Sequence, residues 1–215
     1  MIKLEKTNVM NMENAIRGAR NPMNSWGKMD SFYDGDVFSL GPNDLGLAKR
    51  LIRAGSDHRK FLRQIFVSVD ITAPLYWWKE MDTYKVATVA NSCSTMHKIH
   101  AKEFTLGDFS YEHLLDTEFF GYTPFGMLLD TIDMLNICRD RFLETNDKKY
   151  WWQMIQLLPS SYNQLRTVTL NYETLLNQYY ARKSHKLDEW HVYCDWIETL
   201  PYFKEMCLDG DSDGN

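Results

Sequence analysis

The sequence predicts a helix-rich α/β or α+β fold in a single domain, and three observations lead to this prediction. Apolar residues recur at near-helical spacing in several segments, most regularly in GMLLDTIDMLNICRDRFLETND. Shorter segments rich in β-branched residues with partial alternation, such as FLRQIFVSVDIT, indicate strands. The chain has 215 residues, no internal repeat and no composition change that marks a linker, so we expect one domain over residues 1–208.

The first half of the chain contains two predicted helices before its first clear strand. A short helix is expected from Asn14 to Arg20, followed by a polar, glycine-containing loop. A second helix opens at Pro42 and ends at Gly55, which suits a helix C-cap. The strand FLRQIFVSVDIT ends at Ala73-Pro74, and LYWWKEMDTY is predicted to form a helix that starts just after the proline.

The second half is predicted to be mostly helical. The long amphipathic helix in GMLLDTIDMLNICRDRFLETND is followed by a helix in KYWWQMIQLLP that ends at Pro159. The segment LRTVTLNYETLLNQYYARK begins like a strand and becomes helical around Asn171. A last amphipathic helix is expected in HKLDEWHVYCDWIETLPYF, and the acidic residues 209–215 are expected to form a disordered tail.

Composition excludes several classes of function. The net charge of −5 gives no general basic surface, which argues against bulk binding of nucleic acid. No segment reaches the roughly 18 uninterrupted apolar residues of a membrane span. The four cysteines lie far apart without metal-ligand spacing, which predicts reduced thiols in a cytoplasmic protein and no metal site.

Polar residues of the segment NYETLLNQYYAR admit two interpretations. Asn171 and Asn177 lie six residues apart, a rotation of about 600° on a helix, so they do not share a face, and Arg182 diverges from Asn177 as well. Polar groups that fan around one helix suit a helix that passes between ligands or between subunits. From spacing alone, an ordinary solvated helix is the favoured interpretation.

Two further polar segments are also open to more than one interpretation. His58 lies in the basic turn AGSDHRKFLRQ, which is either a phosphate-binding turn or a solvated basic surface. The stretch from Asn91 to Thr95 has no large apolar side chain and follows the aromatic run LYWW. It is either the wall of a site for a polar ligand or a serine-rich loop.

Four blocks of this sequence together resemble the flavin-dependent thymidylate synthases, the ThyX type. ENAIRGAR with its polar loop resembles the family's AARVS segment, and KRLIRAGSDHRKFLRQIFVSVDITAP is similar to the family's helix, GHxSPFEH turn and strand. TYKVATVANSCS stands where the family carries RHRxxSxNExSxR. LPSSYNQLRTVTLNYETLLNQYYAR matches without a gap, and DEW then resembles the family's AQWE.

The resemblance implies a mainly antiparallel sheet flanked by helices, assembled as a homotetramer. It implies FAD as cofactor and methylation of dUMP at C5 to dTMP with methylene-tetrahydrofolate and NADPH. Small, diverged nucleotide enzymes of this kind are common in phage genomes, so a phage origin is an expectation. The alternatives are a related enzyme that modifies C5 of another pyrimidine nucleotide, and a homologue that binds nucleotide or flavin without catalysis.

The resemblance also assigns residues. Ser94 and Arg182 would hold dUMP and are the predicted catalytic residues, with Ser94 donating to the phosphate. Lys85 and Asn91 are further predicted contacts to the nucleotide. The predicted cofactor-binding residues are His58, Tyr84, Lys85, Asn171 and Asn177.

Several family arginines are absent from this sequence. Thr83-Tyr84-Lys85 replaces the family's RHR, Met96 replaces the last arginine of that motif, and Ile155 replaces another phosphate-binding arginine. Each charge-assisted hydrogen bond contributes about 1.5–3 kcal/mol, so two losses weaken phosphate binding about several hundredfold. Lys85, Lys98 or Arg166 would have to substitute.

Overall fold

The computed structural model of this chain describes residues 2–208, so the predicted acidic tail lies outside the described residues. The strands are β1 (Lys3–Met10), β2 (Phe32–Asp34), β3 (Val37–Ser39), β4 (Phe66–Pro74), β5 (Val89–Ser92) and β6 (Asn163–Asn171). The helices are α1 (Met12–Ala19), α2 (Pro42–Arg53), α3 (Leu75–Met81), α4 (Pro124–Thr145), α5 (Lys148–Leu157), α6 (Tyr172–Arg182), α7 (Asp188–Glu198) and α8 (Phe203–Cys207).

The strands form two sheets. Four strands pair in the order β1-β4-β6-β5 in an antiparallel sheet, and β2 pairs with β3 in a separate hairpin. In that hairpin Phe32 lies opposite Ser39 and Asp34 lies opposite Val37. Gly35 in the turn has a φ of 60°, a left-handed conformation that glycine adopts without steric cost.

The fold class and most elements agree with the sequence predictions. The mixed α/β class is confirmed, and so are the long helix α4 and the strand-to-helix change at Asn171, where β6 ends and α6 begins. The first clear strand starts at Phe66 rather than Phe61, because Lys60–Gln64 form a 3-10 turn. Phe61 and Leu62 are buried in that turn. Because buried strands are also rich in apolar residues, the two residues were assigned to the strand that follows.

The segment from Asp82 to His100 departs from its predicted strand-like beginning. Its first residues form a turn and a loop, and the strand β5 covers Val89–Ser92 only. All four residues of β5 are exposed. Because neither face of the strand is buried, its sequence lacks the alternation of apolar and polar residues by which strands are recognised. The following residues, up to His100, form turns and bends.

The described residues divide into two compact units. Unit 1 comprises residues 2–3, Ile71–Thr83 and Asn91–Arg166, and unit 2 comprises Leu4–Asp70, Tyr84–Ala90 and residues 167–208. The expectation of one domain over residues 1–208 stays a prediction.

Unit 1 has its core between α4 and α5. Its apolar cluster of buried residues consists of Ile99, Phe104, Phe109, Leu128, Ile132, Leu135, Cys138 and Met154. Trp77 and Trp78 of α3 are also buried, in an edge-to-face pair with 4.9 Å between ring centroids. The indole of Trp78 donates to the carbonyl of Gln164 at 3.0 Å, so this polar edge is satisfied inside the protein.

Unit 2 has a core rich in aromatic rings, in which α6 packs against α7. The ring of Tyr172, the first residue of α6, meets that of Phe203 edge-on at 5.1 Å. The fully buried Tyr193 of α7 donates its phenol hydrogen to Gln178 Oε1 at 2.8 Å. These contacts fix the orientation of α6, which carries Asn177 and Arg182 and has Asn171 as its N-cap residue.

A buried ion pair in unit 2 holds the loop that precedes α2. Arg20 Nε donates to Asp44 Oδ1 at 2.6 Å, and both side chains are almost fully buried. The other Asp44 oxygen accepts hydrogen bonds from the backbone of Asp30 and from both the backbone and the hydroxyl of Ser31. Asp30 in turn accepts from the first backbone N–H groups of α2, including that of Asn43. The loop therefore caps the helix that it precedes.

None of the helices in the part of the chain that the structure describes combines the length and the apolarity needed to cross a membrane.

Candidate functional site

Asn171 has a structural role at the start of α6. It is the N-cap residue of the helix, and its side-chain oxygen accepts a hydrogen bond from the backbone N–H of Thr174 at 2.9 Å. It is buried, with 4% of its surface exposed. An asparagine in this position satisfies one of the helix's unpaired amide groups, which explains why the strand changes to a helix here.

Asn177 lies on the exposed surface of α6 beside the basic turn. Arg59 Nη2 donates to Asn177 Oδ1 at 3.2 Å. Because a guanidinium group only donates, the atom of Asn177 that faces Arg59 must be the amide oxygen. The NH₂ group of Asn177 is therefore directed away from Arg59.

Glu173 links the basic turn to α6. Its carboxylate accepts from Arg59 Nε at 3.2 Å and from Arg63 Nε, and only 8% of the residue is exposed. Burial acts to raise the pKa of Glu173, but the hydrogen bonds from Arg63 and Arg59 outweigh it and lower the pKa below its usual value. The carboxylate also lies in the first turn of α6, where the helix dipole favours negative charge.

The basic turn is thus neither a fully solvated surface nor a free cluster of cations. Two of its arginines, Arg59 and Arg63, are bound to a carboxylate of the same unit. His58 is exposed at the beginning of the turn, where its backbone N–H donates to the carbonyl of Gly55 at 3.0 Å.

Arg182, the last residue of α6, is held by two aromatic side chains. Its Nε donates to the phenol oxygen of Tyr84 at 2.8 Å, and its guanidinium carbon lies 5.4 Å from the centroid of that ring. The same guanidinium carbon lies 4.7 Å from the ring centroid of Trp190. Cation–π contacts of this kind help to hold a guanidinium group in place. Lys85, the next residue after Tyr84, is exposed.

In unit 1, Ser94 lines a cavity of about 250 Å³. The Ser94 hydroxyl oxygen accepts hydrogen bonds from the backbone N–H groups of Met96 at 3.2 Å and His97 at 2.9 Å. These bonds form a local turn that holds the hydroxyl in place, and the hydroxyl keeps its own hydrogen for donation. Asn91 is exposed on β5, three residues earlier.

The structure therefore places the predicted residues in separate local settings. In unit 2 it brings Tyr84 into contact with Arg182, and Asn177 into contact with the arginine that follows His58. It buries the Asn171 oxygen in a helix cap. Ser94 and Asn91 belong to unit 1.

Sequence reasoning missed the side chains that hold these residues. Arg59, Glu173 and Trp190 orient Asn177 and Arg182. Glu173 and Trp190 were not predicted as functional residues, and Arg59 was considered only as part of the basic turn. An acidic residue in the first turn of a helix, in a chain with a separate run of basic residues, could have suggested the pair between Glu173 and the basic turn.

Arg166 is engaged elsewhere in unit 1. Its Nη1 contacts Asp82 Oδ1 at 2.7 Å, its Nε donates to Gln164 Oε1 at 2.9 Å, and its guanidinium carbon lies 4.2 Å from the ring centroid of Trp78. Arg166 is therefore a poor substitute for a missing phosphate-binding arginine.

Among the described residues, no group of three or more histidine, cysteine, aspartate or glutamate side chains is placed to hold a metal ion.

The fold is that of the ThyX enzymes. The chain matches the structure of Thymidylate Synthase X (ThyX) from Helicobacter pylori with FAD and dUMP at a TM-score of 0.67 and 17% identity, over 97% of this chain and 98% of that chain. A second structure of flavin-dependent ThyX from Helicobacter pylori, complexed with FAD and dUMP, gives a TM-score of 0.66 and 17% identity, over 96% and 98% of the two chains.

The UMP/dUMP methylase PolB from Streptomyces cacaoi, bound with 5-Br dUMP, is also similar in fold. Its TM-score is 0.60 at 14% identity, over 93% of this chain and 89% of that chain. No family model matches the sequence, and no curated protein matches it. The likeness therefore lies in the fold, which has an antiparallel sheet flanked by helices.

Proposed function

We propose that this chain is a diverged member of the ThyX family and a flavin-dependent enzyme that modifies C5 of uracil in a nucleotide. The leading reaction is methylation of dUMP to dTMP with methylene-tetrahydrofolate and NADPH. The observation that carries the proposal is the position of Arg182, which Tyr84 and Trp190 hold at the end of α6. This arrangement occurs in a fold shared with enzymes crystallised with FAD and dUMP.

The residues of unit 2 fit a phosphate-bearing cofactor such as FAD. Lys85 is exposed, and its ammonium group can donate charge-assisted hydrogen bonds to phosphate oxygens. Asn177 presents amide hydrogens, His58 is exposed beside the same turn, and the half-buried ring of Tyr84 offers an aromatic surface. Bound FAD would supply the redox chemistry that amino-acid side chains lack.

The chain's own residues would bind and orient the reactants. Arg182 and Lys85 would hold nucleotide phosphate, and Ser94 and Asn91 are further proposed contacts to the nucleotide. Asn177 and His58 would orient the cofactor through hydrogen bonds. Asn171 would act mainly by capping α6 and so fixing the helix on which Asn177 and Arg182 lie.

A close variant of this function is methylation of UMP. The likeness to a UMP/dUMP methylase supports testing both nucleotides side by side. The ratio of kcat/KM for UMP and dUMP would decide between them.

The first test is flavin binding by the purified full-length protein. We expect flavin absorption bands that survive desalting after FAD is added. A protein that stays colourless and does not quench the fluorescence of added FAD would contradict the flavoenzyme proposal. Light scattering of the same sample would test the proposed homotetramer.

The second test is turnover of the Arg182→Ala variant. Loss of a charge-assisted hydrogen bond removes about 1.5–3 kcal/mol, so we expect kcat/KM for dUMP to fall about ten- to hundredfold. Arg17→Ala is the matched control, because Arg17 is exposed on α1 and donates to Asn14 in the same helix. Equal activity of the two variants would refute the role of Arg182.

A further inference from the structure

The cavity of unit 1 that contains Ser94 is lined mainly by residues with polar side chains. Its volume is about 250 Å³. Most of the lining residues carry a hydroxyl, thiol, phenol or amide group, and Leu165 is an aliphatic residue among them. The residues that line it are Thr72, Cys93, Ser94, Thr95, Lys102, Gly107, Asp108, Tyr162, Asn163, Gln164 and Leu165.

The charges at this cavity balance. Among the described residues that line it, Lys102 is the cation and Asp108 the acid, and the two form an ion pair. Asp108 is held firmly, because its other oxygen accepts from the backbone and hydroxyl of Thr105 at 2.9 and 3.0 Å. Its side chain is only 13% exposed. A phosphate dianion placed in the cavity would therefore meet a fixed carboxylate.

Tyr162 adds a neutral hydrogen-bonding group to the cavity. Burial raises the pKa of its phenol above the ordinary value, so the group stays protonated at neutral pH. Its ring is held edge-on by Phe109 at 5.6 Å and by Phe104 at 6.4 Å. The phenol is thus a positioned donor and acceptor without charge.

The positions where the resemblance places phosphate-binding arginines do not supply a cation here. Met96 is partly exposed, and its carbonyl accepts from the indole of Trp151 at 3.0 Å. Ile155 packs against the apolar core of unit 1. Ser94 thus shares its cavity with uncharged hydrogen-bonding groups and the ion pair of Lys102 and Asp108.

We propose that this cavity binds the uncharged part of the nucleotide, the pyrimidine ring and sugar hydroxyls, and not its phosphate. A uracil ring carries two carbonyl acceptors and one N–H donor, which hydroxyl, phenol and amide groups can match. Ser94 would then contact the nucleoside portion, contrary to the phosphate contact implied by the resemblance. The inference rests on the proposed function, because it takes a pyrimidine nucleotide as the ligand.

Cys93 offers a direct reporter of occupancy. It lines the cavity and is exposed, whereas Cys138, Cys194 and Cys207 are buried. Alkylation of Cys93 by iodoacetamide can be followed in the full-length protein by mass spectrometry of the peptide that contains it. Deoxyuridine, dUMP and inorganic phosphate would be compared as protecting ligands.

We expect deoxyuridine and dUMP to slow alkylation of Cys93 and inorganic phosphate to leave it unchanged. At a ligand concentration ten times the dissociation constant, about one-tenth of the cavities stay open, so the rate falls about tenfold. Failure of deoxyuridine to slow the reaction overturns the inference, and so does equal protection by phosphate. Conversion of dUMP by the same preparation tests the proposed function separately, so the two failures are distinguishable.

The Asp108→Asn variant tests the charge argument. Asparagine keeps the shape and can still accept from Thr105, but it leaves the charge of Lys102 unbalanced. We expect inorganic phosphate to protect Cys93 in this variant. Asp147→Asn is the matched control, since Asp147 also caps a helix and pairs with a lysine, Lys149. If inorganic phosphate fails to protect Cys93 in both variants, the role of Asp108 is contradicted.

Discussion

At the scale of single residues, the hydrogen bonds that a side chain already makes decide whether it can still donate to a ligand or accept from it. Asn177 uses its oxygen to accept from Arg59, so toward a ligand it offers N–H donors. It is therefore suited to carbonyl or phosphate oxygens and poorly suited to ring N–H groups. Glu173 fixes Arg59 and so determines which side of the Asn177 amide faces a ligand, although Glu173 itself need not touch that ligand.

Asn171 allows its structural and cofactor roles to be separated. Replacement by alanine removes the cap of α6, and we expect the free energy of unfolding to fall by about 1 kcal/mol. Urea denaturation followed by circular dichroism measures this change. An unchanged denaturation midpoint for Asn171→Ala would show that the cap contributes nothing.

Asn171→Ser is the matched control for that substitution. Serine is also a favoured N-cap residue, so its stability should stay close to that of the parent protein. If flavin affinity is lost in Asn171→Ser while stability is kept, the amide itself contacts the cofactor, as the resemblance implies.

At the scale of elements, the loop before α2 depends on a glycine. A Cβ atom at Gly41 would lie 2.5 Å from the backbone oxygen of Asp30, closer than any real contact. We expect Gly41→Ala to destabilise the protein by about 1–3 kcal/mol, because the backbone must shift to relieve the overlap. Chemical denaturation measures the loss.

Gly46→Ala is the control on the same helix. Its added Cβ would meet only the end of the Arg50 side chain, at 3.6 Å, and alanine favours the helical conformation. This variant should therefore be more stable by about 0.5–1 kcal/mol. Two variants with equal stability would argue against the steric explanation.

Elements with a buried face were predictable from the sequence, and those without one were not. The apolar residues of α4 at Leu128, Ile132 and Leu135 face the core of unit 1 and gave a clear helical period. Strand β1 and the hairpin of β2 and β3 are mainly exposed, so their sequences show no alternation. Exposed strands are held by backbone hydrogen bonds, which side-chain patterns do not record.

At the scale of the whole molecule, we expect stability to fall in acid. Burial acts to raise the pKa of Asp44, but its hydrogen bonds from Ser31 and Arg20 prevail and lower it in the folded protein. A lowered pKa in the folded state contributes stability that is complete above the ordinary carboxyl pKa and is lost as pH falls from there through the lowered pKa. Glu173 acts in the same direction.

The Asp44→Asn variant checks this account through melting temperature measured against pH. Loss of one partner from a buried ion pair costs about 3–5 kcal/mol, so the variant should melt lower at neutral pH. Its melting temperature should also depend less on pH in acid. Asp130→Asn, exposed on α4, is the charge-matched control, and parallel pH profiles for both variants would contradict the prediction.

The fold as a whole was predictable because four short blocks spread over most of the chain resemble the ThyX type, although overall identity to the similar structures is 14–17%. The candidate site was less predictable. Its orientation depends on pairs such as Arg59 with Glu173, which lie 114 residues apart in sequence, and the only local signal is an acidic residue in the first turn of a helix. The balance between Lys102 and Asp108 likewise becomes visible only when the cavity is known.

Tyr202 ties the hairpin of β2 and β3 to a residue more than 160 positions later in the sequence. Its phenol oxygen accepts from the backbone N–H of Leu40 at 3.2 Å and donates to the carbonyl of Phe38 at 3.1 Å. A protein shortened before this residue would lose both bonds and expose backbone groups at the edge of β3. Such a truncated form would be open to proteolysis within the hairpin, more than 160 residues before the cut that caused it.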